Sequence, residues 1–333
     1  SRAQLSWWLS RPSQALSDFF DPLGFIQGVV RLGGGKPVSH VVFMGDSTAR
    51  QQTVSLCCLL RAGAGVGAPY SWKLLTNRPF QQYKCAVTLD AAYPGLAGAK
   101  VVLDFNRVNR ADSFVEGRPP ELTPRLNSRI WDTAHVQRPT VLVINLGAWE
   151  YEDGCVPSLH SLHDTLCDEP GQTAMPWRHW ILSGYAAKLG LLATALEAGY
   201  PAGSAERNSS LVVLRTATPR DFEGGRLFVG HCDRLKPLSP IDLARQEVAP
   251  PRGSMRFAVM SKNALLLATA AQRLPWVAVL DAYGIARQRA DAHPSHTAGS
   301  RGADCLHYCL PGVPDVYNGR LMSLLLARLE AVG

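Results

Sequence analysis

The chain has 333 residues, 46% hydrophobic and 18% charged, a balance that excludes a disordered or fibrous protein and supplies a sizeable core. No apolar run reaches the ~20 residues of a membrane-spanning helix, and because the sequence opens on Ser1 rather than Met, a removed signal or an upstream membrane anchor is an expectation. The net charge of +7 admits nucleic acid, an anionic surface or an acidic polysaccharide as partner. The lysines and arginines are scattered singly, without an aromatic-interleaved cluster, which argues against nucleic acid and for a solvated, mildly basic face.

Residues 1–37, with Trp7-Trp8 and Phe19-Phe20, show no clear period and read as a segment packed outside the main domain or as the remnant of a lumenal stem; 38–333 form that domain. Val41-Val42-Phe43-Met44, the turn Gly45-Asp46-Ser47 and the run Thr48 to Leu60 read as a buried strand, a tight turn and a helix. The glycines at 63, 65 and 67 leave that helix instead of joining a strand to one, so they are no dinucleotide fingerprint. Cys85 to Leu89 and Lys100 to Phe105 read as strands about a Pro94-Gly95 turn. The polar insertion 107–138 has the composition of a lobe or lid beside the sheet.

Thr140 to Asn145 is a further strand, apolar enough to be buried on both faces. A second insertion, 152–176, precedes a helix from Trp177 to Leu196. Leu211 to Leu214 is a strand that delivers Arg215 and Arg220 to one sheet edge, Pro251 to Leu274 a helix, Trp276 to Leu280 a strand ending in Asp281, and Val316 to Leu329 the closing helix. This alternation predicts an α/β fold, a mainly parallel sheet in three layers, with the insertions forming a minor lobe.

The first strand ends on a serine. A hydroxyl at the C-terminal edge of a parallel strand, with its backbone N–H at a helix N-terminus, lies where open α/β sheets hold ligands and where an oxyanion is favoured. Gly-Asp-Ser alone is more often a turn and an N-cap. At the other end of the chain, Asp304 and His307 stand three positions apart, so that His307 can take the proton of Ser47 while Asp304 fixes the imidazole tautomer. Arg215 and Arg220 either meet a carboxylate or phosphate on the substrate or clamp the loop that follows their strand.

These blocks resemble the SGNH/GDSL hydrolases and, within them, the PC-esterase family that includes the plant trichome-birefringence-like polysaccharide O-acetyltransferases. Gly45 to Gln52 is similar to GDSLxRNQ, with Arg50 and Gln52 kept and Thr48 and Gln51 substituted; Val141 to Gly147 is similar to VLVFNTG. Arg215 to Gly225 resembles RTxSPRHFEGG, His293-Pro294-Ser295 the HPS block, and Asp304 to Asn318 the block DCxHWCLPGxPDxWN. The resemblance implies a flavodoxin-like fold, a Ser47-His307-Asp304 triad with an acyl-serine intermediate, and an oxyanion hole from the Ser47 N–H and Asn145; substrate contacts are expected at Arg50, Arg215 and Arg220. It implies acetyl transfer from an activated donor such as an acyl-CoA to a glycan hydroxyl, without metal or bound cofactor, in the Golgi lumen or outside the cell. A secreted carbohydrate esterase, with water as acceptor, uses the same residues, and a glycan-binding protein without turnover is a third reading.

The chain departs from the family pattern where Leu146-Gly147-Ala148-Trp149-Glu150 stands for TGHWW, Asp221 for a His, and Tyr308 and Tyr317 for Trp. Those tyrosines remain able to stack on sugars, so a carbohydrate acceptor is expected but xylan in particular does not follow.

The eight cysteines include no CxxC pair, and with the sequon Asn208-Ser209-Ser210 they point to at least three disulfides in the secretory pathway. Cys155 and Cys167 suit a local loop, and Cys232 suits Cys305 or Cys309. The competing reading is zinc, held by His160, His163 and Cys167, or by His231 and Cys232 with Cys305, His307 and Cys309.

Overall fold

A computed structural model describes residues 20–65, 67–78, 82–90, 95–108, 138–146, 176–219, 237–248, 256–294 and 304–333, with the pairs 115–116, 125–126, 225–226 and 229–230. Arg220, Cys155, Cys167, Cys232, Ser295 and nearly all of both insertions lie outside the described residues.

The sheet is built outward from β1 (Val38–Gly45). It pairs in parallel with β4 (Lys100–Arg107) on one side and β5 (Val141–Asn145) on the other, with Val41 opposite both Leu103 and Val141. Beyond β5 come β6 (Leu211–Arg215) and β7 (Ala278–Leu280), both parallel. Beyond β4 come β3 (Gln82–Leu89) and β2 (Tyr70–Arg78), both antiparallel to their neighbours. The order is β7-β6-β5-β1-β4-β3-β2.

Every residue of β5 and β6 is buried, because helices cover both faces. Successive side chains of a strand point to opposite faces, and β1 divides its apolar residues accordingly. Val41 and Phe43 join Phe25, Ile26 and Val29 of α1 (Pro22–Leu32), Leu56 of α2 (Ser47–Ala62) and Leu321 and Leu325 of α6 (Val313–Val332). Val42 and Met44 join Tyr185, Leu189 and Leu192 of α3 (Pro176–Gly199) and Leu266 and Ala270 of α5 (Arg256–Arg273); α4 (Pro240–Val248) lies between α3 and α5 in the chain. The expected three-layer, mostly parallel α/β sheet is the one observed.

Two elements differ from the expectation. Helix α1 begins with Asp21 as N-cap, accepting from the Leu23 N–H at 3.0 Å, and Pro22 at the first helical position; its buried residues occur at 25, 26, 28, 29, 30 and 32. β2 lies at the sheet's edge, where Ser71, Lys73, Leu74 and Leu75 are exposed and the register slips between Leu74 and Thr76. An edge strand half in solvent carries no apolar run, which is why the sequence does not announce it.

Cys57 of α2 and Cys85 of β3 form a disulfide. Cys305 is also disulfide-bonded, whereas Cys58 and Cys309 are thiols. The option that joined Cys232 to Cys309 is therefore wrong, and the two thiols leave six cysteines for pairing. Among the described residues no helix is long and apolar enough to cross a membrane.

His40 on β1 has its pKa lowered from 6.5 to about 4, first by burial and then by Lys84 and Lys100. A depressed folded-state value means that the unfolded chain takes up a proton the fold refuses, so the contribution is complete above pH 6.5 and is lost on acidification toward pH 4. Urea midpoints of wild type and His40→Gln at pH 7 and pH 4.5 check this. Wild type should lose more stability between the two, and equal losses would contradict the assignment.

Candidate active site

The turn after β1 is set by Asp46. One of its carboxylate oxygens accepts from the Thr48 N–H at 2.8 Å, the Thr48 hydroxyl at 2.7 Å and the Asn145 side-chain amide at 3.0 Å. Asp46 is thereby the N-cap of α2, and Ser47 is its first residue. The turn also requires Gly45, whose φ is +157°: a Cβ there would stand 2.8 Å from the Asn145 Cβ and 3.0 Å from that of Ala49. A glycine and a capping aspartate thus place a serine hydroxyl at the positive end of a helix.

Asp304 does two things at once. Its Oδ1 accepts from the backbone N–H groups of Leu306 at 3.2 Å and His307 at 3.1 Å, folding the loop back on itself. Its Oδ2 lies 2.6 Å from His307 Nδ1. An ionised carboxylate only accepts, so Nδ1 carries the proton, and in the neutral ring Nε2 is then the acceptor. Nε2 lies 2.7 Å from Ser47 Oγ. Burial pushes the Asp304 carboxyl up, but the hydrogen bond and charge of the His307 ring, with the two backbone amides, outweigh it and hold the pKa below its ordinary value. The three side chains named from the sequence stand in line.

The other expected site residues take different places. Asn145, 2% exposed, shares one amide hydrogen between Asp46 and, at 3.0 Å, the Thr48 hydroxyl, two oxygens that themselves lie 2.7 Å apart. The substrate role expected of Arg215 does not hold. Arg215 is 1% exposed; its guanidinium stacks 4.8 Å over the Tyr317 ring and reaches the Thr48 hydroxyl at 3.4 Å, and burial lowers its pKa. Arg50 bonds Asn77 at 3.1 Å and lies over Tyr83, both on the β2–β3 hairpin. The sugar-stacking role expected of Tyr308 and Tyr317 is excluded by burial, since they are 2% and 1% exposed. Among the described residues no cluster could hold a metal ion; in the second zinc set, Cys305 is in a disulfide and His307 is bonded to Ser47 and Asp304.

Residues 35–324 match the model of PC-Esterase, the GDSL/SGNH-like Acyl-Esterase family found in Pmr5 and Cas1p. The chain belongs to the PC-esterase family. By that membership it is an enzyme of acyl chemistry. It is similar to Protein trichome birefringence-like 13 of Arabidopsis thaliana, 26% identical over 334 residues that cover 97% of this chain and 74% of that protein. Protein trichome birefringence-like 36 of the same plant is 25% identical, covering 96% and 75%. A shorter match, 30% over 123 residues, covers 34% of this chain and 28% of xyloglucan O-acetyltransferase 2 of Arabidopsis thaliana.

Geometry explains why this PC-esterase keeps long blocks and not just three residues. The block from 304 to 318 begins at the site and ends as the anchor of α6 on α2. Asp315 accepts from the Gly312 N–H at 2.6 Å and from the Ser55 hydroxyl, and Asn318 donates to the Gln52 carbonyl at 3.1 Å and to Ser55 Oγ at 2.9 Å. Sequence reasoning named none of Asp46, Thr48, Gln51 or His293 as functional residues. The signal available was their position inside the blocks.

Asn318→Ala removes both bonds to α2 and strands buried partners, a loss of roughly 1–3 kcal/mol. Urea denaturation should show that loss, with the folded fraction still reacting at Ser47. Unchanged stability would contradict the anchoring role.

Proposed function

We propose that this PC-esterase family member transfers an acetyl group from an activated donor to a polysaccharide hydroxyl through an acyl-enzyme on Ser47. The observation that carries the reading is the unbroken line from Asp304 through His307 to Ser47, at 2.6 and 2.7 Å, ending at a helix N-terminus. As Ser47 Oγ attacks the donor carbonyl, His307 Nε2 takes its proton and Asp304 stabilises the imidazolium. The oxyanion forms beside the Ser47 N–H, where the dipole of α2 favours negative charge; such stabilisation is worth ~3 kcal/mol.

Collapse expels the leaving group of the donor, a thiolate if the donor is an acyl-CoA, and His307 returns the proton to it. The sugar hydroxyl then gives its proton to Nε2 and attacks the acyl-serine; collapse releases the ester and restores the Ser47 hydroxyl. Every proton has a carrier among these side chains, so the route calls for no metal or bound cofactor.

Polysaccharide acetylation, as against another acyl transfer, is supported by the similarity to xyloglucan O-acetyltransferase 2, over a third of this chain. A second reading, hydrolysis of an acetyl ester, has the acyl-esterase description of the family in its favour and requires only water in place of the sugar. The Cys57–Cys85 disulfide and the bonded Cys305 favour an oxidising compartment, and exposed Asn208 at the start of its sequon is open to glycosylation there. The Golgi lumen meets both conditions.

A serine-reactive fluorophosphonate should label the wild-type protein, and Ser47→Ala should abolish labelling while circular dichroism stays native; label on another serine would move the nucleophile. Incubation with labelled acetyl donor and a panel of glycans separates the two reactions. Label on a glycan is the expected result, and label appearing only as free acetate would replace transfer by hydrolysis.

A further inference from the structure

The main chain at His307 is held from three directions. Its own N–H bonds Asp304, as described. Its carbonyl accepts from His293 Nδ1 at 2.6 Å. A carbonyl cannot donate, so Nδ1 of His293 carries a proton; burial lowers this histidine's pKa to about 4, which keeps the ring neutral. The N–H of the same peptide, that of Tyr308, bonds the side-chain oxygen of Gln51 at 3.1 Å, and the Gln51 amide nitrogen donates to the Tyr308 carbonyl at 2.8 Å. Both ends of the peptide plane that follows His307 are therefore tied down, one to His293 and one to Gln51. The Tyr308 ring packs on the His293 ring at 4.3 Å, and the Cys309 N–H bonds the Ala292 carbonyl at 2.9 Å, so the two segments run side by side.

Gln51 follows Ser47 by four residues on α2, one helical turn, which puts the two side chains on the same face. His307 and Tyr308 are consecutive. The helix and the loop are thus joined by two neighbouring rungs, Ser47 to the His307 ring and Gln51 to the Tyr308 backbone. The second rung is bidentate and made from a side-chain amide that stays neutral at every pH, so it holds the loop at one height along the helix whatever the state of the imidazole.

We propose that Gln51 and His293 are positioning residues that fix the peptide after His307 and so hold Nε2 in line with Ser47 Oγ. Neither is asked to touch substrate. The inference rests on the acyl-transfer reading of Ser47 and His307. It locates one source of alignment in side chains of α2 and of the segment before the loop, acting on backbone rather than on the ring.

The test measures kcat and KM for p-nitrophenyl acetate at a temperature well below unfolding, with Ser47→Ala as reference. Gln51→Ala removes both bonds. Gln51→Glu keeps the acceptor for the Tyr308 N–H but sets an oxygen against the Tyr308 carbonyl. Each should lower kcat by about 10- to 100-fold with KM unchanged, the scale expected when a reacting group is misplaced by about an ångström. His293→Asn places an amide N–H near the position of Nδ1 and should keep more activity than His293→Leu.

A Gln51→Ala enzyme with wild-type kcat, even one less stable, would overturn the inference, and so would a rise in KM at constant kcat. If Ser47→Ala itself hydrolyses the ester at the wild-type rate, the acyl-transfer reading fails instead. With Ser47→Ala inactive and Gln51→Ala normal, only the positioning role fails.

Discussion

The chemistry depends on one docking event, the seating of the block that ends in Asn318 on the helix that begins with Ser47. The serine and histidine that meet at 2.7 Å are 260 residues apart in sequence. Closing so long a loop is an entropic cost the fold meets by burying polar groups as well as apolar ones. Ser55, Asp315 and Asn318 interlock at one end of the contact, Gln51 and Tyr308 at the other, and the line from Asp304 through His307 to Ser47 lies just beyond the second. The apolar residues of α6 supply the burial, and these polar pairs supply the register.

Beneath the serine turn, opposite charges balance. Asp46 and Arg215 are both buried, and the Thr48 hydroxyl lies between them, donating to the carboxylate and accepting from the guanidinium. Removing either would leave the other charge buried with one fewer compensating partner, which costs stability.

Much of the fold was legible because buried strands and amphipathic helices write their periods into the sequence. Val41 to Met44, Val141 to Ile144 and Leu211 to Leu214 are apolar runs because both faces of the sheet are covered. The edge strand β2 has no such run. In the site, Ser47, Asp304 and His307 were legible from residue chemistry and spacing, since a nucleophile, a base and an orienting carboxylate are distinctive types. Arg215 was read as a substrate contact or a loop clamp because strand ends in such sheets converge on the ligand crevice; its burial against the Tyr317 ring and the Thr48 hydroxyl is not written in its type. Tyr308 and Tyr317 were read as sugar platforms because tyrosine rings can stack on sugars, which needs an exposure they do not have. Gln51 and His293 act on backbone atoms, and a side chain's main-chain partner leaves no mark in sequence.

The most direct measurement follows the acyl group itself. The protein is mixed with an activated acetyl donor in the absence of any acceptor, quenched in acid, digested and examined by mass spectrometry. The account predicts an acetyl group on the peptide that contains Ser47, which disappears when a competent glycan is added before the quench. Transfer to glycan with no acetylation of Ser47 at any time, or acetylation confined to another residue, would contradict it.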